Sequence, residues 1–143
     1  RMQQRMMEKI MAKGIAIECN PSSNQLIAIY GDYDKHPIFR FNSYGLPLLC
    51  EDERQQLRVS VNTDDQGIFD TSLENEYALL YSTLQEIKDA DGKQLIDNDR
   101  IRGYLNHLRE MGNDMVFQKA SRRMQRRHYS EDSRRTQNAK ETN

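Results

Sequence analysis

Two adjacent carboxylates, Asp64 and Asp65, close the segment Asn62-Thr63-Asp64-Asp65, which directly follows an alternating apolar run, Leu57-Arg58-Val59-Ser60-Val61. Alternation of period two predicts a half-buried strand ending near Val61. Successive side chains leaving a strand end point in different directions, so neighbouring carboxylates can divide their work: one ligates a metal while the other meets a substrate or a water. Strand ends are also where barrel enzymes keep their chemistry. The same dipeptide can instead form a turn in which Asx side chains bond their own backbone, and from Asp-Asp alone the turn is the favoured reading.

The flanks reverse that preference. They read Val59-Ser-Val-Asn-Thr-Asp-Asp-Gln-Gly-Ile-Phe-Asp-Thr-Ser-Leu-Glu-Asn-Glu-Tyr-Ala-Leu-Leu80. This stretch resembles the last strand and following helix of the adenosine deaminase family of metal-dependent amidohydrolases. A second block in the same order, Ile15-Ala-Ile-Glu-Cys-Asn-Pro-Ser-Ser-Asn24, is similar to the preceding barrel strand and its Cys-Pro-x-Ser-Asn end, except that Asn20 separates Cys19 from Pro21. A third, His36-Pro37-Ile-Phe-Arg40, is similar to the His-Pro segment that opens the helix between those strands.

The resemblance implies an α/β fold: the C-terminal portion of a (β/α)8 TIM barrel, carrying its last two strands and followed by C-terminal helices. It implies a hydrolase that removes the 6-amino group of a purine nucleoside or nucleotide, with one zinc ion as cofactor. Asp64 would ligate the metal and contact the attacking hydroxide, and Asp65 would hydrogen-bond the purine ring; both count as catalytic. A carboxylate suits the first role, since it ligates a divalent metal at about 2.0–2.2 Å and the bound water's pKa then falls to about 7.

The departures matter as much. The family's other ligands are a His-x-His pair and a later His, with a Glu acting on the ring nitrogen and another His beside the hydroxide, all upstream of the matching segment. The histidines of this chain are His36, His107 and His128, expected in a loop, a helix and a basic tail, and none forms a His-x-His. One Asp cannot hold a catalytic zinc, which takes about three protein ligands and an open position. An eight-stranded barrel also takes about 250 residues. The chain has 143, begins with Arg1, and its first residues already read as mid-domain helix. The expectation is therefore a C-terminal piece, inactive by itself, whose partner is the rest of the barrel, supplied upstream or by another chain.

The competing readings are a metal-free, degenerate relative acting as a binding or structural module, and a basic nucleic-acid-binding module. Net charge is −1, yet from Lys119 onward eight basic residues face three acidic ones, so that tail carries +5 and the remainder −6. The run Arg122-Arg-Met-Gln-Arg-Arg-His-Tyr129 could bind phosphate. It has no aromatic interleaving apart from Tyr129, as expected of a solvated face, so nucleic acid is not the favoured partner. Residues 129–143 are polar and expected to be disordered, leaving 1–128 as the amidohydrolase segment.

Composition, 36% hydrophobic and 30% charged, suits a globular domain with an unpacked extension, and no apolar run approaches 18 residues; a cytoplasmic location without membrane contact is expected. Cys19 and Cys50 are too few for a disulfide scaffold, and Cys19 reads as a small core residue.

The elements that must hold the Asp pair follow from spacing. Met2, Met6, Ile10 and Lys13, with Met7 and Met11 alongside, predict a helix whose methionines pack into the core, closed by Gly14 in the left-handed conformation. Ile15, Ile17 and Cys19 predict a strand. Pro21-Ser-Ser-Asn24 reads as the turn leaving it, where Ser22, Ser23 or Asn24 could meet a ligand. Leu46 to Leu57 looks like an insertion, a feature of a bacterial long-form branch of the family that includes multidomain proteins linked to antiviral defence. Thr71-Ser-Leu-Glu74 reads as a capping box that starts a helix burying Leu73, Tyr77, Leu80, Leu84 and Ile87 and ending at Asp89-Ala-Asp-Gly92. Ile101, Tyr104, Leu105, Leu108 and Met111 predict another helix closed by Gly112, with His107 on a solvent-facing flank, and Asn113 to Arg127 a last one.

Overall fold

Alternation and helical spacing resolve, in the computed structural model of the chain, into two short strands wrapped by helices; residues 2–28, 31–46 and 56–116 are described. Strand β1 is Ala16–Cys19 and strand β2 is Arg58–Val61, paired in parallel with Ala16 opposite Arg58 and Cys19 opposite Val61. Parallel neighbours need a crossover, and here it includes two helices. These are α2, Pro21–Ile27, and α3, Ile38–Phe41, with a 3-10 turn at Tyr33–Lys35 between them. Helix α1, Met2–Ala12, precedes β1. After β2 come α4, Gln66–Phe69, α5, Leu73–Glu86, and α6, Asn98–Asp114. Residues Arg1–Asn113 form one compact unit. This is a mixed helix and strand fold with a small parallel sheet.

One face of the sheet makes the core. Cys19, Val59 and Val61 are buried with Leu57, while the alternate residue Arg58 is exposed. Against them lie Leu80 and Leu84 of α5, Ile101, Tyr104 and Leu108 of α6, and Ile38 and Phe39 of α3. Polar groups inside this core are paired: the Tyr104 hydroxyl donates to the Asn42 carbonyl at 2.9 Å, and the Asn42 side-chain amide donates to the Leu57 carbonyl at 3.0 Å. Asn42, just after α3, and Leu57, just before β2, are thereby tied to Tyr104 of α6. At the edge of β2, the Val59 N–H donates to the Met111 sulfur at 3.0 Å.

Several expectations are corrected. The methionine stripe of α1 is not core: the helix has no buried residue, Met2, Met6 and Met11 are exposed, and only Met7 and Ile10 pack on the core, because α1 meets the rest of the described residues along one flank. Gly14 does take a left-handed φ of 64°, and the Gly14 and Ile15 N–H groups return to the carbonyls of Met11 and Ile10. Pro21-Ser-Ser-Asn24 is not a free turn but the first turn of α2, with Pro21 at the helix start where its missing N–H costs nothing. The cap of α5 falls one residue later than the box predicts: Ser72 accepts from the Asn75 N–H at 3.2 Å, and Thr71 is turned elsewhere. Helix α5 ends at Glu86, before the Asp89–Gly92 turn, and Leu73 at its start stays exposed. Gly112 does not stop α6, which continues to Asp114. His107 is not simply in solvent; its ring stacks on Tyr44 with centroids 4.2 Å apart. The insertion core (residues 47–55), the basic run, the 128/129 boundary and most of the last expected helix lie outside the described residues.

Candidate active site

The site is built where the two strands end on the same side of the sheet, a consequence of their parallel pairing. Past Val61 the chain turns at Asp64, whose φ of 60° lies in the left-handed region. That conformation costs an L-residue on the order of 1–2 kcal/mol, less for Asp, and it persists only where the surroundings fix it. The fixing contact comes from the other strand end. Ser23, in the first turn of α2 and fully buried, donates its hydroxyl to Asp64 Oδ2 at 2.7 Å. Oδ1 of Asp64 has no hydrogen bond among the described residues.

Asp65 is placed differently. It caps α4, its Oδ1 accepting from the Gly67 N–H at 2.9 Å and from the Ile68 N–H at 3.1 Å. The backbone-bonding alternative is thus realised for Asp65 and not for Asp64. Capping consumes one oxygen and leaves the other directed by a fixed carboxylate plane. Both residues are exposed, so each can be reached from solvent. The pair is brought together with Ser23. Ser22 and Asn24 point instead into the frame behind the site.

That frame holds two residues that spacing alone assigned to neither site nor core. Glu76 of α5 is 1% exposed; its Oε2 accepts from the Ser22 N–H at 2.9 Å, and its Oε1 accepts from the Ser22 hydroxyl and, at 2.7 Å, from the Thr71 hydroxyl. The signal was readable: Glu76 shares a helix face with Leu80, Thr83 and Leu84, and a carboxylate in an apolar stripe is worth asking about. His36 is the second, 2% exposed. Its Nδ1 accepts from the Ile38 N–H at 3.2 Å, which places the ring proton on Nε2, 3.3 Å from Asn24 Oδ1. Burial pulls its pKa below the ordinary value, against the Glu76 charge, so this histidine is neutral and part of the scaffold. Cys19 beneath the site is buried, and burial with the neighbouring Glu18 carboxylate pushes its thiol up to about 12, which excludes a thiolate nucleophile.

As a metal donor, Asp64 fits one position: an accessible carboxylate with one oxygen tied back and one open. No group of three His, Cys, Asp or Glu side chains that could hold an ion occurs among the described residues. None of the helices there is long and apolar enough to cross a membrane.

Parallel strands linked by helices thus carry two adjacent carboxylates past the end of β2. Residues 2–99 match the family model described as adenosine deaminase, and the chain belongs to that family. Over 74 residues it is 32% identical to an adenine deaminase of Rhizobium etli, covering 52% of this chain and 20% of that protein. It is 32% identical over 81 residues to an adenosine deaminase of Plasmodium vivax, covering 57% and 19%, and 36% identical over 75 residues to that of Plasmodium gallinaceum, covering 52% and 18%. The chain spans about a fifth of the length of these curated relatives.

Proposed function

We propose that this chain contributes one wall of the active site of a zinc-dependent hydrolase that deaminates the 6-amino group of adenosine or an adenine nucleotide. The observation that carries the reading is Asp64, held at the end of β2 in a left-handed backbone conformation by a hydroxyl from the end of β1. Names of relatives that act on adenine and adenosine support the substrate class.

In the overall reaction water adds across C6 and the adjacent ring nitrogen, which takes one proton; the bond from C6 to the amino nitrogen then breaks, and ammonia leaves with the hydroxyl proton, so that a carbonyl stands at C6 and the ring nitrogen keeps its hydrogen. Zinc, when bound, supplies Lewis acidity that brings the pKa of water down to about 7. Asp64 would hold it through the oxygen that Ser23 leaves open. Asp65, with Oδ1 committed to α4, would use Oδ2 to accept a hydrogen bond from the purine and so fix its orientation over Asp64. The remaining ligands and the group acting on the ring nitrogen would come from residues outside these 143, within a larger barrel.

The test is zinc content and ammonia release from adenosine, AMP and adenine, measured on the full-length protein and on its Asp64→Asn variant. Asn tolerates a left-handed φ, so this substitution removes the charge without forcing the backbone to move. Stoichiometric zinc and turnover in the wild type, both lost in the variant, are expected. Full retention of both in Asp64→Asn would overturn the reading and leave the Asp pair as a turn.

A further inference from the structure

We propose that Glu76 is a positioning residue for Asp64: its buried carboxylate ties the segments that follow β1 and β2 to one point on α5 and thereby aims the Ser23 hydroxyl. This rests on the reading of Asp64 as a metal ligand. Glu76 takes two donors from Ser22, one backbone and one side chain, and one from Thr71. Ser22 stands in the first turn of α2, immediately before Ser23; Thr71 stands after α4, on the chain leaving Asp64 and Asp65. One carboxylate therefore joins the segment that carries the hydroxyl to the segment that carries its acceptor. The Ser22 N–H is one of the helix-start donors with no partner inside its own helix, so Glu76 caps α2 from 54 residues away.

Packing alone does not ask for this residue. Position 76 faces the core beside Leu80 and Leu84, where an apolar side chain would fill the space without the penalty of desolvating a charge, and buried ionic groups are often no better for stability than apolar ones of similar volume. What a carboxylate adds is three directed acceptor contacts. They fix the start of α2 rotationally, and Ser23 Oγ is then held 2.7 Å from Asp64 Oδ2. Partners that orient a ligating carboxylate through hydrogen bonds typically change metal affinity by about 10- to 100-fold.

The experiment measures zinc affinity by chelator competition, alongside thermal melting, on the full-length protein carrying Glu76→Ala, Ser23→Ala, both together, Glu76→Gln and Asp64→Asn. Each alanine variant should loosen zinc by about 10-fold, and the double variant by no more than about 10-fold, because both act on one contact. Glu76→Gln should stay within about 3-fold, since its amide oxygen can take the Ser22 N–H while its NH2 donates to hydroxyls that rotate to accept. If Glu76→Ala does not fold, Glu76→Asp, which keeps the charge on a shorter arm, takes its place in the same comparison. Losses that multiply to about 100-fold in the double variant, or a lowered melting temperature with unchanged zinc affinity, would overturn the proposal. If Asp64→Asn abolishes zinc binding while the Glu76 and Ser23 variants leave it intact, positioning fails and the deaminase reading stands. If Asp64→Asn itself binds zinc normally, both fail.

Discussion

The ends of the two strands are neighbours in one sheet, yet they are built in opposite ways. The end of β1 turns inward: Cys19, Pro21 and Ser23 are buried, and Asn24 Oδ1 takes the Asn20 N–H at 3.1 Å while facing His36. The end of β2 turns outward: Asp64, Asp65, Gln66 and Gly67 are all exposed, and the backbone passes through a left-handed residue. The contrast separates support from presentation. Buried, fully bonded polar groups hold a shape and are costly to leave unmatched. Exposed carboxylates keep open oxygens for something that comes from outside.

Breaking the presenting end should cost function most. Asp64→Asn in the full-length protein is expected to lower deamination by more than about 1000-fold with loss of zinc, since a charged ligand and its pull on the metal go together. Asp65→Asn sharpens the contrast within the pair. Asn caps a helix as well as Asp, so α4 and zinc content should survive, while loss of a positioned, charge-assisted bond to the purine should cost on the order of 2–4 kcal/mol, or about 30- to 1000-fold in rate. Zinc stoichiometry beside kinetics decides this, and zinc lost from Asp65→Asn but kept in Asp64→Asn would reverse the two roles.

The supporting end should answer to pH before it answers to substrate. His36 is held neutral by burial, so its folded pKa lies below the unfolded value of about 6.5. The unfolded chain then binds more protons, and the stability His36 contributes is complete above pH 6.5 and is lost as pH falls through that value toward the lowered one. Denaturant melts between pH 7.5 and 5.5 should show this loss, and His36→Asn, whose side chain can still accept from the Ile38 N–H, should flatten it. An unchanged slope in His36→Asn would remove His36 from the account. The smallest effect belongs to α1: Met6→Gln, on an exposed position, should change stability by no more than about 0.5 kcal/mol, against about 2–5 kcal/mol for Leu84→Ala in the core.

How far residue order alone reaches differs between these regions. The β2 strand and its end were legible because alternation, a strand end and a specific Asp-Asp setting agree. Gly14 as a helix stop and the face of α5 through Leu80 and Leu84 were legible for the same reason: a local rule and the tertiary outcome coincide. The α1 methionines were misread, since periodicity reports that a helix has an apolar side and not whether anything covers it. The cap at Ser72 shifted by one residue because Thr71 had a better partner, Glu76, which only the folded chain supplies.

Local spacing, then, determined the two strands, helices α1, α5 and α6, and which two carboxylates stand past the end of β2, because those properties depend on neighbours a few residues apart; it missed the short helices α2 and α4. Whether Asp64 is held or free, whether His36 is charged or neutral, and what Glu76 is for were decided only in three dimensions. Asp64 depends on Ser23, 41 residues away, Glu76 on Ser22, 54 residues away, and His36 on burial, against the charge of Glu76, that no short stretch of chain can impose on itself.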